Sequence, residues 1–160
     1  MDRLAWLNAL PSQSAEAELF ACCGAHVWAH AMTAQRPFPD LETVLAHADR
    51  VWWSLSEQDW REAFRAHPRI GERAAGWSER EQSGTRDASA ELIVQLAEAN
   101  RRYEQRFGHI FLICATGRSA GEMLAAFDER LANDARTELR VAAEEQGKIT
   151  RLRLERLLTV

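Results

Sequence analysis

An all-helical fold is the reading that three features of this sequence support. Apolar residues recur with the period of an α-helix along most of the chain, as in the stripe Leu41, Val44, Leu45, Ala48, Trp52 and Leu55. Helix-start signatures recur as well: Asp40 after Pro39, then Ser56-Glu57-Gln58-Asp59, then Ser119-Ala120-Gly121-Glu122. In each, a short polar side chain caps orphan backbone N–H groups, and in the last two an acid three residues on can reach back. Finally, only Ile110 to Ala115 reads as extended, so at most one strand-like element is expected.

Taken in order, Ser14 to Met32 reads as one long Ala-rich helix that stops before Arg36-Pro37-Phe38. The helix at 41–55 follows, with Asp40 as its cap. A short helix through Trp60 and Phe64 must end near His67, because Pro68 drives its predecessor out of the helical region. Arg69 to Asp87, with Gly71, Gly76 and Gly84, is the longest irregular stretch, and long ordered loops are often functional. A helix from Ser89 to Phe107 turns Ile93, Leu96, Asn100, Tyr103 and Phe107 inward and stops at Gly108. The next helix opens at Ser119 and closes near Asn133, and the last runs from about Asp134 to Leu158. No linker, repeat or compositional shift divides the chain. Residues 1–160 therefore read as a single compact multi-helix domain, with helices of unequal length and one short extended segment near 110–115.

Composition narrows the function classes. Hydrophobic residues make up 46% and charged residues 28%, a globular balance. The net charge of -4, with both signs interspersed, leaves no basic stripe to neutralise phosphates, so nucleic acid is not an expected partner. The apolar runs are too short to span a membrane, no targeting segment is legible, and a reducing bacterial cytoplasm is the expected location. Cys22, Cys23 and Cys114 suit that compartment as free thiols, with Cys114 expected to be a buried hydrophobe.

Three residues or groups break their local pattern. The inward stripe of the last helix runs Leu139, Ala142, Gln146, Ile149, Arg153, Leu157, which places the Arg153 guanidinium on a face that should be buried. Burial is costly unless an anion pairs with it, so Arg153 is either an internal salt bridge, a stem that snorkels out, or a ligand contact. His67 stands at a helix end before a proline and a glycine-containing loop, as a helix C-cap contact or as a proton-transfer group near neutral pH. Ser78 and Glu81 have capping-box spacing, and a helix N-terminus also offers N–H groups to an anionic ligand. His26 and His30, four apart on a helix, lack a third ligand and read as structural or solvent-facing, so no metal is expected.

The order and spacing of many short fragments carry more than any one of them. Cys23-Gly24 with Trp28, Met32 and Arg36-Pro37-Phe38 is followed by Ala66-His67-Pro68-Arg69-Ile70-Gly71 and Ser78-Glu79-Arg80-Glu81-Gln82. Then come Asn100, Tyr103, Arg106-Phe107-Gly108, Phe111-Leu112-Ile113-Cys114, Arg130-Leu131-Ala132-Asn133-Asp134, Glu138-Leu139, and Lys148-Ile149 with Leu152-Arg153-Leu154. Over about Phe20 to Leu158 this resembles the family of 2-oxo-4-hydroxy-4-carboxy-5-ureidoimidazoline (OHCU) decarboxylases. The chain departs from many relatives in having Arg69-Ile70 where they have Asp-Leu, and in the short connection Gly71 to Trp77.

That resemblance implies an all-helical, commonly dimeric carboxy-lyase of urate breakdown that yields (S)-allantoin without a cofactor. It implies His67 and Glu81 as catalytic residues. It also implies a substrate-binding set of Pro68, Ser78, Glu79, Arg80, Gln82, Arg153 and the extended segment Phe111, Leu112, Ile113, Cys114 and Ala115. The substrate's own conjugated ring can take up the electron pair released with CO2, so positioning and one proton would suffice. Two other classes remain open on the residues: a different cofactor-free enzyme on a ureide ring, and a helical binding module in which Glu81 only caps and Arg153 only pairs.

Overall fold

A computed structural model of the chain describes residues 2–71, 81–85 and 88–159. Among these residues all regular elements are helices, with no β-strand. The elements are α1 (Arg3–Ala9), α2 (Ser12–Cys22), α3 (His26–Ala34), α4 (Leu41–Ser54), α5 (Glu57–Arg65), a 3-10 turn (Ser83–Thr85), α6 (Ala90–Phe107), α7 (Ala120–Leu131) and α8 (Ala135–Leu158). Contacts group the chain into two compact units, Met1–Ala63 with Gly147–Val160, and Phe64–Gln146.

The capping signatures are where the sequence puts them. The Asp40 carboxylate accepts from the Thr43 N–H at 2.7 Å, and Ser56 and Asp59 bond reciprocally at the start of α5. Ser119 and Glu122 form a complete capping box on α7. Ser89 caps α6, which ends at Gly108 with φ 76°.

One expectation fails. Ser14 to Met32 is not a single helix but α2 and α3, broken at 23–25. Cys23 and Ala25 are extended on either side of Gly24, whose weak helix propensity lowers the cost of the break. The Glu62 carboxylate then meets the backbone N–H of His26 at 3.4 Å, an anion where the new helix exposes its unpaired donors.

In the first unit, Leu7, Leu19, Trp28, Met32, Val44 and Trp52 are buried together with Ile149 and Leu154 of α8. Trp28 is buried whole because its indole N–H finds the Ala48 carbonyl at 3.1 Å. Arg36, in the Arg-Pro-Phe element, donates to the carbonyls of Leu7 and Leu10 at 2.8 and 2.7 Å, satisfying the end of α1.

In the second unit, α6 packs on α7 and an aromatic cluster forms the core. Phe111 stacks on Phe127 at 3.7 Å between ring centres, and Tyr103 meets both rings edge-on. This core holds residues 110–115 in a path that is neither helix nor strand.

Candidate functional site

Most of the residues that the sequence singles out fall in the second unit. His67 follows α5, where its N–H still bonds the Phe64 carbonyl at 3.2 Å before Pro68 ends the helical path. Its ring is half-buried, and Nε2 lies 2.7 Å from Oε1 of Gln146 on α8. Arg69 and Ile70, which follow Pro68, go opposite ways. Arg69 turns outward and forks onto Glu104 at 2.7 and 3.0 Å, while Ile70 enters the core. Both residues thus find their partners on α6.

Glu81 and Gln82 are both buried, with Glu81 only 7% exposed. The Gln82 side-chain oxygen accepts from the Gly71 N–H at 3.0 Å, and the Ile70 carbonyl accepts from Asn100 at 2.8 Å. The loop after His67 is therefore tied at two successive residues. The turn that follows Gln82 lies close to the loop before α7: a Cβ on Gly84 would stand 2.0 Å from the Arg118 carbonyl oxygen, so only glycine permits this approach. Ser78, Glu79 and Arg80 lie outside the described residues.

The extended segment is held by side chains in place of a sheet. The Leu112 carbonyl accepts from Arg130 Nη1 at 2.7 Å, the Cys114 N–H donates to Glu145 at 3.0 Å, and the Cys114 carbonyl accepts from Arg118 at 3.2 Å. Phe111, Leu112, Ile113 and Ala115 are buried, but Cys114 is not the buried hydrophobe expected of its apolar run. Its side chain is only partly covered, whereas Phe111, Ile113 and Ala115 pack into the aromatic cluster.

Arg130 and Glu138 form the electrostatic anchor of this arrangement. Glu138, 0% exposed, lies 2.7 Å from Arg130 Nε and accepts from Tyr103 Oη at 2.5 Å and Asn133 at 3.0 Å. Burial, and the carboxylate it donates to, raise the Tyr103 pKa above the ordinary phenol range, so Tyr103 remains a donor. Arg130 and Glu138 stand among the sequence fragments without an assigned role, Gln146 only as a member of the inward stripe, and Glu145 has no place in the sequence reading. A signal for Gln146 existed: it stands on the same inward stripe as Arg153.

Arg153 belongs to the first unit. It is buried, 7% exposed, and donates to the Ala21 carbonyl at 3.2 Å, so it does not snorkel out. Beside it, the Cys23 thiol is pushed up to about 12 by burial, against smaller opposing effects from Thr150 and Arg153. His26 and His30 face separate carboxylates, Glu62 and Glu16, and among the described residues no group of His, Cys, Asp or Glu is placed to hold a metal ion. No helix among them is long and apolar enough to cross a membrane. A groove of about 630 Å³ in the first unit, lined by Leu41, Leu45, Trp52, Thr150 and Arg151 among others, contains none of the residues assigned from sequence.

Comparison with known proteins identifies the family. A family model described as OHCU decarboxylase matches residues 8–155. The chain is 40% identical over 154 residues to the uric acid degradation bifunctional protein TTL of Arabidopsis thaliana, a match covering 90% of this chain and 47% of that protein. It is 30% identical over 140 residues to the 2-oxo-4-hydroxy-4-carboxy-5-ureidoimidazoline decarboxylase of Amia calva, covering 82% and 80% respectively. A crystal structure of OHCU decarboxylase in the presence of (S)-allantoin superposes with a TM-score of 0.82 at 40% identity, covering 88% of this chain and 96% of that one. The chain thus spans about half the length of the plant relative and four fifths of the Amia calva one.

Proposed function

We propose that this chain, which belongs to the OHCU decarboxylase family, removes CO2 from 2-oxo-4-hydroxy-4-carboxy-5-ureidoimidazoline and delivers (S)-allantoin. The bond between the carboxylate and the hydroxyl-bearing ring carbon breaks, and its electron pair moves toward the adjacent ring carbon and its C=N bond. The hydroxyl becomes the product's carbonyl, and the carbon carrying the ureido group gains a proton. Net uptake is one proton. The ring is its own electron sink, so the reading asks for no cofactor.

His67 is the proton donor, and its fixed position selects one face of the ring. Glu81 holds or polarises the imidazole or a ring substituent. Arg153 offers its fork of donors to a carboxylate or carbonyl oxygen. Ser78, Gln82 and the backbone of Ile113 to Ala115 read the amide-rich edge, with Pro68, Glu79 and Arg80 completing the lining. The observation that carries this is the fixed imidazole: His67, half-buried, is held at 2.7 Å by a fully buried side chain, in a unit that also buries Glu81. A group serving only to cap a helix would not need a buried partner 79 residues away.

The whole of residues 1–160 acts as one catalytic domain in this reading, a homodimer working in the cytoplasm. The extent of the family match, residues 8–155, supports the first of these. The test of function is to supply freshly generated OHCU and follow CO2 release together with circular dichroism of the product. Enzyme-dependent release with a persistent (S)-allantoin signal is expected, and should survive EDTA treatment and dialysis. Racemic product forming at the uncatalysed rate would remove the reading.

A further inference from the structure

We propose that Gln146 is a positioning residue for His67, fixing the ring so that Nε2 keeps its proton throughout turnover while Nδ1 gains and loses one. The inference rests on the proposed role of His67 as proton donor. An amide oxygen can only accept, so the 2.7 Å contact between Gln146 Oε1 and His67 Nε2 requires that nitrogen to donate. Neutral imidazole with its proton on Nε2 meets this requirement, and so does imidazolium. The bond therefore persists through a proton cycle conducted at Nδ1, and the ring need not turn between steps.

The support behind the bond is rigid. Gln146 is 0% exposed on α8, so bulk solvent does not compete for its amide. The residue before it, Glu145, accepts from the Cys114 N–H at 3.0 Å. Adjacent residues of one helix thus set both the imidazole and the extended segment, and the spacing between them follows from helix geometry. An uncharged amide also orients without adding charge. A carboxylate at the same place would favour imidazolium and raise the histidine pKa.

The test is nitrogen NMR of the His67 ring in the full chain from about pH 5 to 9, with turnover measured on the same samples. In the unaltered protein the neutral ring should carry its proton on Nε2. Gln146→Met, close in volume but without the acceptor, should erase that preference and lower kcat about tenfold with little change in KM. Gln146→Glu keeps the acceptor, serves as well if the Met variant folds poorly, and should retain the Nε2–H form while moving the pH–rate profile upward. A neutral ring protonated on Nδ1 in the unaltered protein would overturn the proposal. So would a Met variant whose ring spectrum and pH profile are unchanged while His67→Ala abolishes turnover, an outcome that leaves the function intact. A ring that responds to Gln146 in a protein whose turnover ignores both residues would instead overturn His67 as the proton donor.

Discussion

The two compact units differ in what they bury. Among the described residues, the buried polar and charged side chains Glu81, Gln82, Asn100, Arg130, Glu138, Glu145 and Gln146 all fall within Phe64–Gln146, whereas only Thr150 and Arg153 fall in the other unit. The first unit buries mainly tryptophans and aliphatic side chains. The second spends helix positions on groups that must each find a partner, which a core selected only for stability would avoid. Gln82, Asn100, Arg130, Glu145 and Gln146 each bond the loop after His67, the segment 110–115 or the imidazole itself, and Glu138 pairs with Arg130. Buried polarity here fixes position.

That contrast can be broken most sharply at the imidazole. His67→Ala or His67→Asn should lower the decarboxylation rate by about two to four orders of magnitude with the melting temperature nearly unchanged. Glu81→Gln should act likewise on rate, and the double variant His67→Ala/Glu81→Ala should be hardly slower than His67→Ala, as for groups acting as a unit. Additive losses would assign the two residues separate tasks.

Next in size is the anchor of the extended segment. Glu138→Ala leaves the Arg130 charge buried with its ion-pair partner removed, and should cost about 3–5 kcal/mol in denaturant unfolding, with turnover reduced in the protein that still folds. In the first unit, Leu19→Ala should cost about 2–5 kcal/mol and leave kcat unchanged below the melting transition. A Leu19 variant that lost activity while folded would blur the division between the units.

The smallest effect concerns Cys23. An exposed thiol ionises near 9.0, whereas the buried one holds its proton to about 12. Its folded value is raised, so its contribution to stability is whole below pH 9 and is lost as the pH climbs from 9.0 toward 12. The stability difference between the unaltered protein and Cys23→Ala should therefore shrink over that interval. At neutral pH, iodoacetamide should modify the half-exposed Cys114 well before Cys23.

Much of the fold was legible because helices declare themselves locally. The stripe of α8 is buried at every expected position, Arg153 included, since a period of 3.6 over seven turns leaves little room for error. The break between α2 and α3 was not legible, because the single Gly24 lowers helix propensity only modestly and the Glu62 carboxylate that meets His26 comes from 36 residues away. The histidine could be singled out from its proline, but its orienting amide lies 79 residues on and announces itself only as a polar residue on an apolar face. Arg130 and Glu138 look like ordinary surface charges one by one. Only the packing of α6 and α7 around Tyr103 and Phe127 reveals them as a buried pair.

The extended segment at 110–115 carries one more consequence. In a sheet, a strand's backbone groups are bonded by another backbone, which no point mutation can delete. Here Arg130, Arg118 and Glu145 do that work, each from a helix or a turn beside it. The segment's path is therefore encoded one side chain at a time. Amide hydrogen exchange should show it as a set of separable latches: Glu145→Ala should speed exchange at the Cys114 amide by about tenfold or more, as expected for losing one hydrogen bond, while the helical amides of α6 keep their protection.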